Sequence, residues 1–285
     1  MQTCSVCLGH LWRLEKELAP RLSPEALHIL FHFVWSLLDV WQLSAYVLKG
    51  RIVSICKLDN FIFWKKACVT PVLKKGHPAQ INNDRPISIL CNFAKIFESC
   101  LYNQIYSTIK HIISPYQHGF VNQRSTITNL GCITQFISET LDNRGQVDVI
   151  YTDFAKAFDR TDHHILLNKL SVLGFSKSLS SLLYSYMTNR QHSVRYRNFW
   201  SEPFTPTSGI PQGSNLGPLL FLLFVNDLPD FINNDKLLFA DDLKIYAKIN
   251  SILDCESLQA DLCSLFRWCV LNKLYLNVPL LYSYI

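Results

Sequence analysis

The sequence predicts an α+β fold in which a central antiparallel sheet packs on helices. Two observations lead to this prediction. Segments with helical periodicity alternate irregularly with short β-branched and aromatic segments along the 285 residues. Towards the C-terminal end, two short apolar runs flank Phe239-Ala240-Asp241-Asp242, which is the pattern of two strands joined by a tight turn. An antiparallel hairpin placed among helices favours α+β over a doubly wound parallel sheet.

The individual elements follow from the same patterns. Apolar residues at helical spacing predict the helices, at residues 94–113, 126–142, 163–173, 178–188 and 219–228. β-branched and aromatic residues predict the strands, at residues 147–153, 193–197, 204–207 and on both sides of the Asp pair. A last helix is expected to bury one face, formed by Leu258, Leu262, Leu265, Phe266 and Cys269. Asp159 and Asp162 are expected to cap the helix at 163–173.

Length and composition allow one large domain or two small ones, and the 49% of hydrophobic residues can form a sizeable core. The charge is distributed unevenly. Residues 51–130 carry ten Lys and Arg against three Asp and Glu, whereas residues 131–285 carry 13 against 15. A basic part facing an acidic part suits a protein that holds phosphates with one and metal with the other. The alternative is a soluble surface with no such purpose.

The N-terminal 60 residues match no clear pattern. Residues 27–48 are apolar but include His28, His32, Asp39 and Gln42, which predicts a buried amphipathic helix rather than a membrane span. A secretory signal is not expected, because no basic region precedes an apolar run. Zinc is not expected either, since no second ligand pair follows the Cys residues at positions 4 and 7.

Three acidic residues form the strongest candidate site. Asp241 and Asp242 lie at the tip of the predicted hairpin, and Asp153 ends the predicted strand at 147–153. Adjacent carboxylates at the end of a buried strand repel each other and lose hydration, so a divalent cation would stabilise them. The pattern indicates phosphoryl transfer assisted by one or two Mg²⁺ ions. The alternative is that the Asp pair only forms a turn and that Asp153 only caps a helix.

A glycine-rich segment, residues 208–218, lies between the two acidic positions. Glycines let the backbone approach a ligand closely, and Gln212 can both donate and accept hydrogen bonds. The segment therefore suits a binding loop. The alternative is an ordinary loop ahead of a helix that begins at Pro218.

Taken in order, Tyr151-Thr152-Asp153-Phe154-Ala155-Lys156-Ala157-Phe158-Asp159, Gly209-Ile210-Pro211-Gln212-Gly213-Ser214 and Phe239-Ala240-Asp241-Asp242 resemble the reverse transcriptases of non-LTR (LINE-type) retrotransposons. Other blocks resemble the same family, at residues 64–67, 71–76, 85–90, 117–120, 124–126, 170–175 and 268–277. The resemblance implies the fingers and palm of a right-hand polymerase. It divides the chain into an N-terminal helical segment (1–60), a fingers and palm domain (61–278) and a divergent tail (279–285).

The resemblance implies a role for each acid. Asp153, Asp241 and Asp242 would be the catalytic carboxylates that bind two Mg²⁺ ions, with Mn²⁺ as an alternative, and the carbonyl of Phe154 would be a further ligand. The implied reaction transfers a nucleotide from a dNTP to a primer 3′-hydroxyl. Phe158 would lie under the incoming sugar, where its ring would exclude a 2′-hydroxyl. Core packing is the alternative for Phe158.

The resemblance also implies substrate contacts away from the acids. Lys74, Arg85 and Arg124 would meet the triphosphate or the template, and Gln212 and Gly213 would line the pocket beside the templating base. For Lys74 the alternative is a solvated surface charge. The implied partners are an RNA template, a DNA primer and dNTP, without a membrane. The implied location is the nucleus or cytoplasm, in a ribonucleoprotein.

The family pattern continues after the last matching block with a Lys, a primer-gripping hairpin and a helical thumb, from which residues 279–285 depart. We therefore expect a polymerase fragment without thumb or endonuclease, which would hold primer–template weakly. Two other functions stay open. One is a non-enzymatic retroelement remnant that binds nucleic acid through the basic surface of residues 51–130. The other is an RNA-directed RNA polymerase, against which Phe158 and the Phe-Ala-Asp-Asp sequence argue.

Overall fold

A computed structural model describes residues 65–74, 76–277 and 282–284, which belong to one unit of the chain, Asp59–Ile285. The amphipathic helix predicted at 27–48 and the Cys pair at positions 4 and 7 lie outside the described residues, as does Lys75. Within the part of the chain that the structure describes, no helix has the length and apolar character needed to cross a membrane.

The elements alternate between strands and helices along the chain. The strands are β1 (Lys66–Leu73), β2 (Asp84–Ile89), β3 (Gln146–Thr152), β4 (Gln191–Tyr196), β5 (Phe199–Trp200), β6 (Asp235–Phe239), β7 (Asp242–Ile249) and β8 (Tyr282–Tyr284). The helices are α1 (Asn92–Ile109), α2 (Thr126–Asp142), α3 (Ala157–Arg160), α4 (His163–Val172), α5 (Lys177–Met187), α6 (Gly217–Val225) and α7 (Ile252–Asn272). Short 3₁₀ turns cover Ile81–Asn83 and Leu228–Phe231.

The first sheet contains four strands in the order β2-β1-β4-β5. β1 pairs antiparallel with β2 and parallel with β4, so residues distant in the sequence meet in one sheet. The strand pair expected at 193–197 and 204–207 is partly wrong. The chain reverses at Arg197, which has a left-handed φ of 55°, and β4 pairs with β5 instead. Phe204 contributes an isolated bridge to His192.

The second sheet has the order β6-β7-β3-β8 and its pairings are all antiparallel. Thr152 at the end of β3 lies opposite Leu243, and Phe239 at the end of β6 lies opposite Asp242. This register brings the end of β3 and the turn between β6 and β7 to the same edge of the sheet. The candidate acids follow these two strand ends, so the fold brings them together.

The helix boundaries agree with the sequence prediction to within four residues at each end. α2 spans the predicted residues, because Ser125 and Thr128 form a reciprocal capping box at its start. Asp162 caps α4 by accepting from the backbone N–H groups of its first turn, as predicted. The same expectation for Asp159 is wrong, because its carboxylate accepts a hydrogen bond from the side chain of Gln212 instead.

The core is organised around α6, which is buried on all sides except at its one proline. A helix that is apolar all round belongs in the interior of a domain. α7 buries the face formed by Leu258, Asp261, Leu265 and Trp268. Phe266, expected on this face, is 63% exposed. It lies one residue after Leu265 and is therefore turned about 100° away around the helix axis.

Candidate active site

The turn at the tip of the hairpin presents two of the three candidate acids. Phe239 pairs with Asp242, so the turn itself is Ala240-Asp241. Ala240 has a left-handed φ of 57°, which two-residue hairpin turns require at their first position. Asp241 is half-buried, whereas Asp242 at the start of β7 is exposed. The two carboxyl groups therefore stand at the outer end of the sheet.

Asp153 joins them from the neighbouring strand. One step beyond the Thr152–Leu243 pair, the register brings Asp153 opposite Asp242. Asn277 holds Asp153 in place, because its N–H donates to the Asp153 backbone oxygen at 2.8 Å and its Nδ2 donates to Oδ2 at 3.3 Å. Sequence reasoning missed Asn277, and its place at the end of the last matching block was the signal that could have identified it.

The three carboxyl groups influence one another electrostatically. Burial raises the pKa of Asp241, the charges of Asp242 and Asp153 raise it further, and Lys74 opposes the change. Burial also raises the pKa of Asp242, reinforced by Asp153 and opposed by Lys74 and Lys244. The neighbouring acids are therefore close enough to Asp241 and Asp242 to disfavour the ionisation of these two carboxyl groups, and a nearby positive charge would relieve the conflict.

A stability prediction follows from the raised pKa of Asp241. The folded protein binds this proton more tightly than the unfolded chain, whose Asp has the ordinary value of 3.8. Stability from this group is therefore present below that value and is lost as pH rises through the folded pKa. Asn does not ionise, so Asp241→Asn should raise the Tm of the metal-free protein near neutral pH, with the difference closing towards about pH 4.

Thermal unfolding in EDTA between about pH 4 and pH 8 measures this difference. Asp254 provides a matched control, since backbone hydrogen bonds lower its pKa. Asp254→Asn should therefore destabilise the protein near neutral pH. An Asp241→Asn variant that melts below the parent at neutral pH would contradict the inferred repulsion.

The site offers the type of ligand that Mg²⁺ prefers, since the carboxyl groups of three acids follow strand ends at one sheet edge. As the side chains stand, no group of three His, Cys, Asp or Glu among the described residues is arranged to hold a metal ion. The fit to a metal therefore rests on the donor chemistry and the strand register.

Phe158 lies in the single turn α3, five residues after Asp153. Its ring stacks on Phe221 of α6, with centroids 4.6 Å apart and planes inclined by 19°. Phe120 makes a perpendicular contact with it at 6.5 Å. Phe158 is half-buried. It therefore packs on the core, as the structural alternative expected, and leaves part of its ring accessible.

The glycine-rich segment docks onto the chain around Phe158. The N–H of Gly209 donates to the Thr161 oxygen, and Gln212 Nε2 donates to Asp159 Oδ1 at 2.9 Å. Gly209 has a φ of +91°, and a Cβ there would lie 2.7 Å from the Asp159 backbone oxygen. Glycine is therefore required at this contact, both for conformation and for space.

The same segment also contacts the first sheet. The N–H of Ser88 in β2 donates to the Gln212 oxygen at 2.8 Å. At Gly213, where φ is +96°, a Cβ would lie 3.0 Å from the Ser88 oxygen. Gln212 and Gly213 thus lie where the first sheet meets the segment carrying Phe158. The Gln212 side chain is held by Asp159 in this arrangement.

The predicted basic residues have different environments. Lys74 follows β1, and its charge acts on both Asp241 and Asp242. Arg85 is exposed on β2, opposite Val72. Arg124 instead donates from Nη1 to three backbone oxygens, those of residues 114, 115 and 117. The charge of Lys74 therefore acts on the acids, whereas the Arg124 side chain is held by the backbone of residues 114–117.

Comparison with known proteins identifies the family. The profile of the family described as "Reverse transcriptase (RNA-dependent DNA polymerase)" matches residues 72–278. The chain is 32% identical over 218 residues to the probable RNA-directed DNA polymerase from transposon BS of Drosophila melanogaster, with 72% of this chain and 24% of that protein covered. It is 30% identical over 217 residues to the polymerase from mobile element jockey of the same species, with the same coverage.

The chain thus spans about a quarter of the length of these relatives. Among solved structures it is similar to apo telomerase from Candida tropicalis truncated from its C-terminal domain, with a TM-score of 0.55 and 13% identity. That similarity covers 78% of this chain and 50% of the telomerase chain, and it confirms the predicted fold. The chain belongs to the reverse transcriptase family, as the reverse transcriptase domain of a retrotransposon.

Proposed function

We propose that this chain is an RNA-directed DNA polymerase domain that transfers nucleotides from dNTPs to the 3′-hydroxyl of a primer on an RNA template. The observation that carries the proposal is the convergence of Asp153 with Asp241 and Asp242 at one edge of the second sheet. Membership of the reverse transcriptase family indicates the reaction class. The three acids provide the carboxylate groups that a metal-assisted reaction of this class needs close together.

In this proposal the three acids hold two Mg²⁺ ions, or Mn²⁺ in their place. Asp153 and Asp241 contribute most directly, Asp242 supports them, and the carbonyl of Phe154 is a further ligand. Bound metal would activate the primer hydroxyl and stabilise the leaving pyrophosphate. Asn277 orients Asp153, and burial keeps the Asp241 carboxylate partly shielded from water, which strengthens its attraction for a cation.

Five of the six remaining predicted residues are assigned to the substrates, and Arg124 is left out because its Nη1 donates to three backbone oxygens. Lys74 lies close enough to the acids to act on the triphosphate, and Arg85 extends the basic surface towards the template. Gln212 and Gly213 line the pocket beside the templating base, where the backbone contact to β2 fixes their position. Phe158 supports the incoming sugar through its stacked ring.

Replacing Phe158 with Val is expected to relax sugar discrimination. The smaller side chain leaves room for a 2′-hydroxyl, so the preference for dUTP over UTP, which differ only at that position, should fall by about 10- to 100-fold in kcat/KM. Single-nucleotide incorporation measures both substrates. Phe120→Leu is the control, since Phe120 meets the ring of Phe158 edge-on and Leu is not β-branched at its left-handed φ of 55°. An unchanged preference in a folded Phe158→Val variant would refute the assignment.

Primer extension on poly(rA)–oligo(dT) with dTTP and Mg²⁺ tests the proposed function. The chain should extend the primer, and EDTA should stop extension. Template binding without extension would instead favour the non-enzymatic remnant, which would use the basic surface of residues 51–130. Preferential incorporation of UTP on an RNA primer would favour an RNA-directed RNA polymerase.

A further inference from the structure

The segment formed by residues 116–119, part of a block that the proposed function leaves unassigned, lies against the outer edge of β6. The N–H of Leu238 donates to the Tyr116 oxygen at 2.9 Å, and the N–H of His118 donates to the Leu238 oxygen at 2.8 Å. Gln117 and Leu238 form a parallel bridge. The segment therefore follows β6 up to the turn that carries Asp241.

The side chain of Gln117 ends on that turn. It is 3% exposed, and its Oε1 accepts from the N–H of Ala240 at 2.9 Å and from the N–H of Gly119 at 2.8 Å. Its Nε2 faces the Ala240 oxygen at 3.5 Å. Both close partners are donors, so the amide atom that faces them must be the oxygen. One buried amide thus contacts both backbone groups of the first turn residue.

Gly119 brings the backbone of the segment directly against the turn. A Cβ at this position would lie 2.4 Å from the Ala240 nitrogen and 3.0 Å from the Phe239 carbonyl carbon. Gly119 does not have a positive φ, so conformational freedom is not the reason for glycine. The reason is space, because only a residue without a side chain allows two backbones to approach so closely.

The turn needs this support because Ala240 has a left-handed backbone at φ 57°. A residue with a Cβ adopts that conformation unfavourably, and it persists where surrounding contacts hold it. Ala240 directly precedes Asp241, so relaxation of Ala240 would move the Asp241 carboxylate. We propose that Gln117 and Gly119 clamp the Ala240-Asp241 turn, and that Gln117 is a positioning residue for polymerisation.

The functional part of this inference rests on the proposed function, whereas the clamp itself does not. Gln117→Met tests it, because Met fills the same volume but cannot accept these hydrogen bonds. Gln135→Met is the matched control, since Gln135 is exposed on α2 and contacts Glu139. The third variant combines Gln117→Met with Ala240→Gly, because glycine adopts a left-handed φ without strain.

Three readouts separate positioning from a general role in folding. In Gln117→Met, hydrogen–deuterium exchange should accelerate at residues 239–242, where the parent N–H of Ala240 is protected. Mn²⁺ binding, followed by electron paramagnetic resonance, should weaken by about 10-fold, since groups that orient ligands have effects of this size. The kcat for dTTP incorporation should fall by about 10- to 100-fold with KM nearly unchanged.

Adding Ala240→Gly to Gln117→Met should restore most of the Mn²⁺ affinity and kcat, which supports the clamp. Unchanged exchange at residues 239–242 in Gln117→Met would overturn it. Loss of Tm, Mn²⁺ affinity and kcat together, without recovery by Ala240→Gly, would also overturn it and leave Gln117 as a folding residue. A parent that extends no primer, while Gln117→Met still loosens the turn and weakens Mn²⁺ binding, would refute the proposed function and support the clamp.

Discussion

Replacing Asp241 with Asn is expected to reduce primer extension by at least about 10³-fold. Asn keeps the shape of the side chain but removes the charge that would attract a divalent cation. Asp241 lies at the hairpin tip, where its carboxyl group interacts with those of Asp242 and Asp153. Metal assistance contributes several kcal/mol to reactions of this type, so loss of a principal ligand should remove most of the rate.

Steady-state incorporation of dTTP on poly(rA)–oligo(dT) measures this loss. Asp148→Asn is a matched control on β3, because the Asp148 carboxylate accepts from Gln146 and lies five residues before Asp153. The control should retain nearly the parent rate. An Asp241→Asn variant that keeps more than about a tenth of the parent rate would contradict a metal-binding role, since that loss is only about 1.4 kcal/mol.

Replacing Trp268 with Ala is expected to lower the free energy of unfolding by about 3–5 kcal/mol. Trp268 is fully buried, and its ring contacts Phe154 at 5.9 Å and Phe224 at 6.4 Å between centroids. Its Nε1 donates to Asp227 Oδ1 at 3.1 Å, and Lys169 Nζ lies 4.7 Å from the ring centroid. Such a loss is a large part of the stability of a typical domain, about 5–15 kcal/mol.

Unfolding in urea measures the effect through the midpoint and its slope. Trp268→Phe should lose less than half as much free energy of unfolding, because an aromatic ring still fills most of the space. The loss that remains comes mainly from the missing hydrogen bond to Asp227. Phe266→Ala provides the surface control on the same helix, with an expected change within about 0.5 kcal/mol. If Trp268→Ala and Phe266→Ala were equally stable, the described packing of α7 would be wrong.

The loss of Trp268 should also affect the site. Phe154 directly follows Asp153, so the cavity opens beneath the first acid. At temperatures where Trp268→Ala remains folded, primer extension should fall below that of Trp268→Phe. This comparison relates core packing to the position of Asp153.

Local patterns were sufficient for much of the fold. The helix at 126–142 was predicted from apolar residues at helical spacing and has the observed boundaries, and the structure shows that Ser125 caps its start. The hairpin around Asp241 was predicted because a tight turn is determined by a few neighbouring residues. The proximity of Asp153 to the hairpin was expected because acids that share a divalent cation must lie close together.

Contacts between distant residues were not accessible in this way. Gln117 and Ala240 are 123 residues apart, and Asn277 and Asp153 are 124 residues apart. Local periodicity indicates which side chains are buried but not which partners they meet. For the same reason the parallel pairing of β1 with β4 and the loop contacts of Arg124 were not predicted. Phe266 was misplaced because apolar character alone did not fix its angle around α7.

The central claim is that three acids distant in the sequence form one cation site. Anomalous diffraction from crystals grown with Mn²⁺, primer–template and a non-reactive dNTP analogue tests it most directly. We expect anomalous peaks within coordination distance, about 2.0–2.3 Å, of the Asp153 and Asp241 carboxylates. Peaks elsewhere only, or an Asp153 carboxylate directed away from the hairpin tip in that complex, would contradict the account.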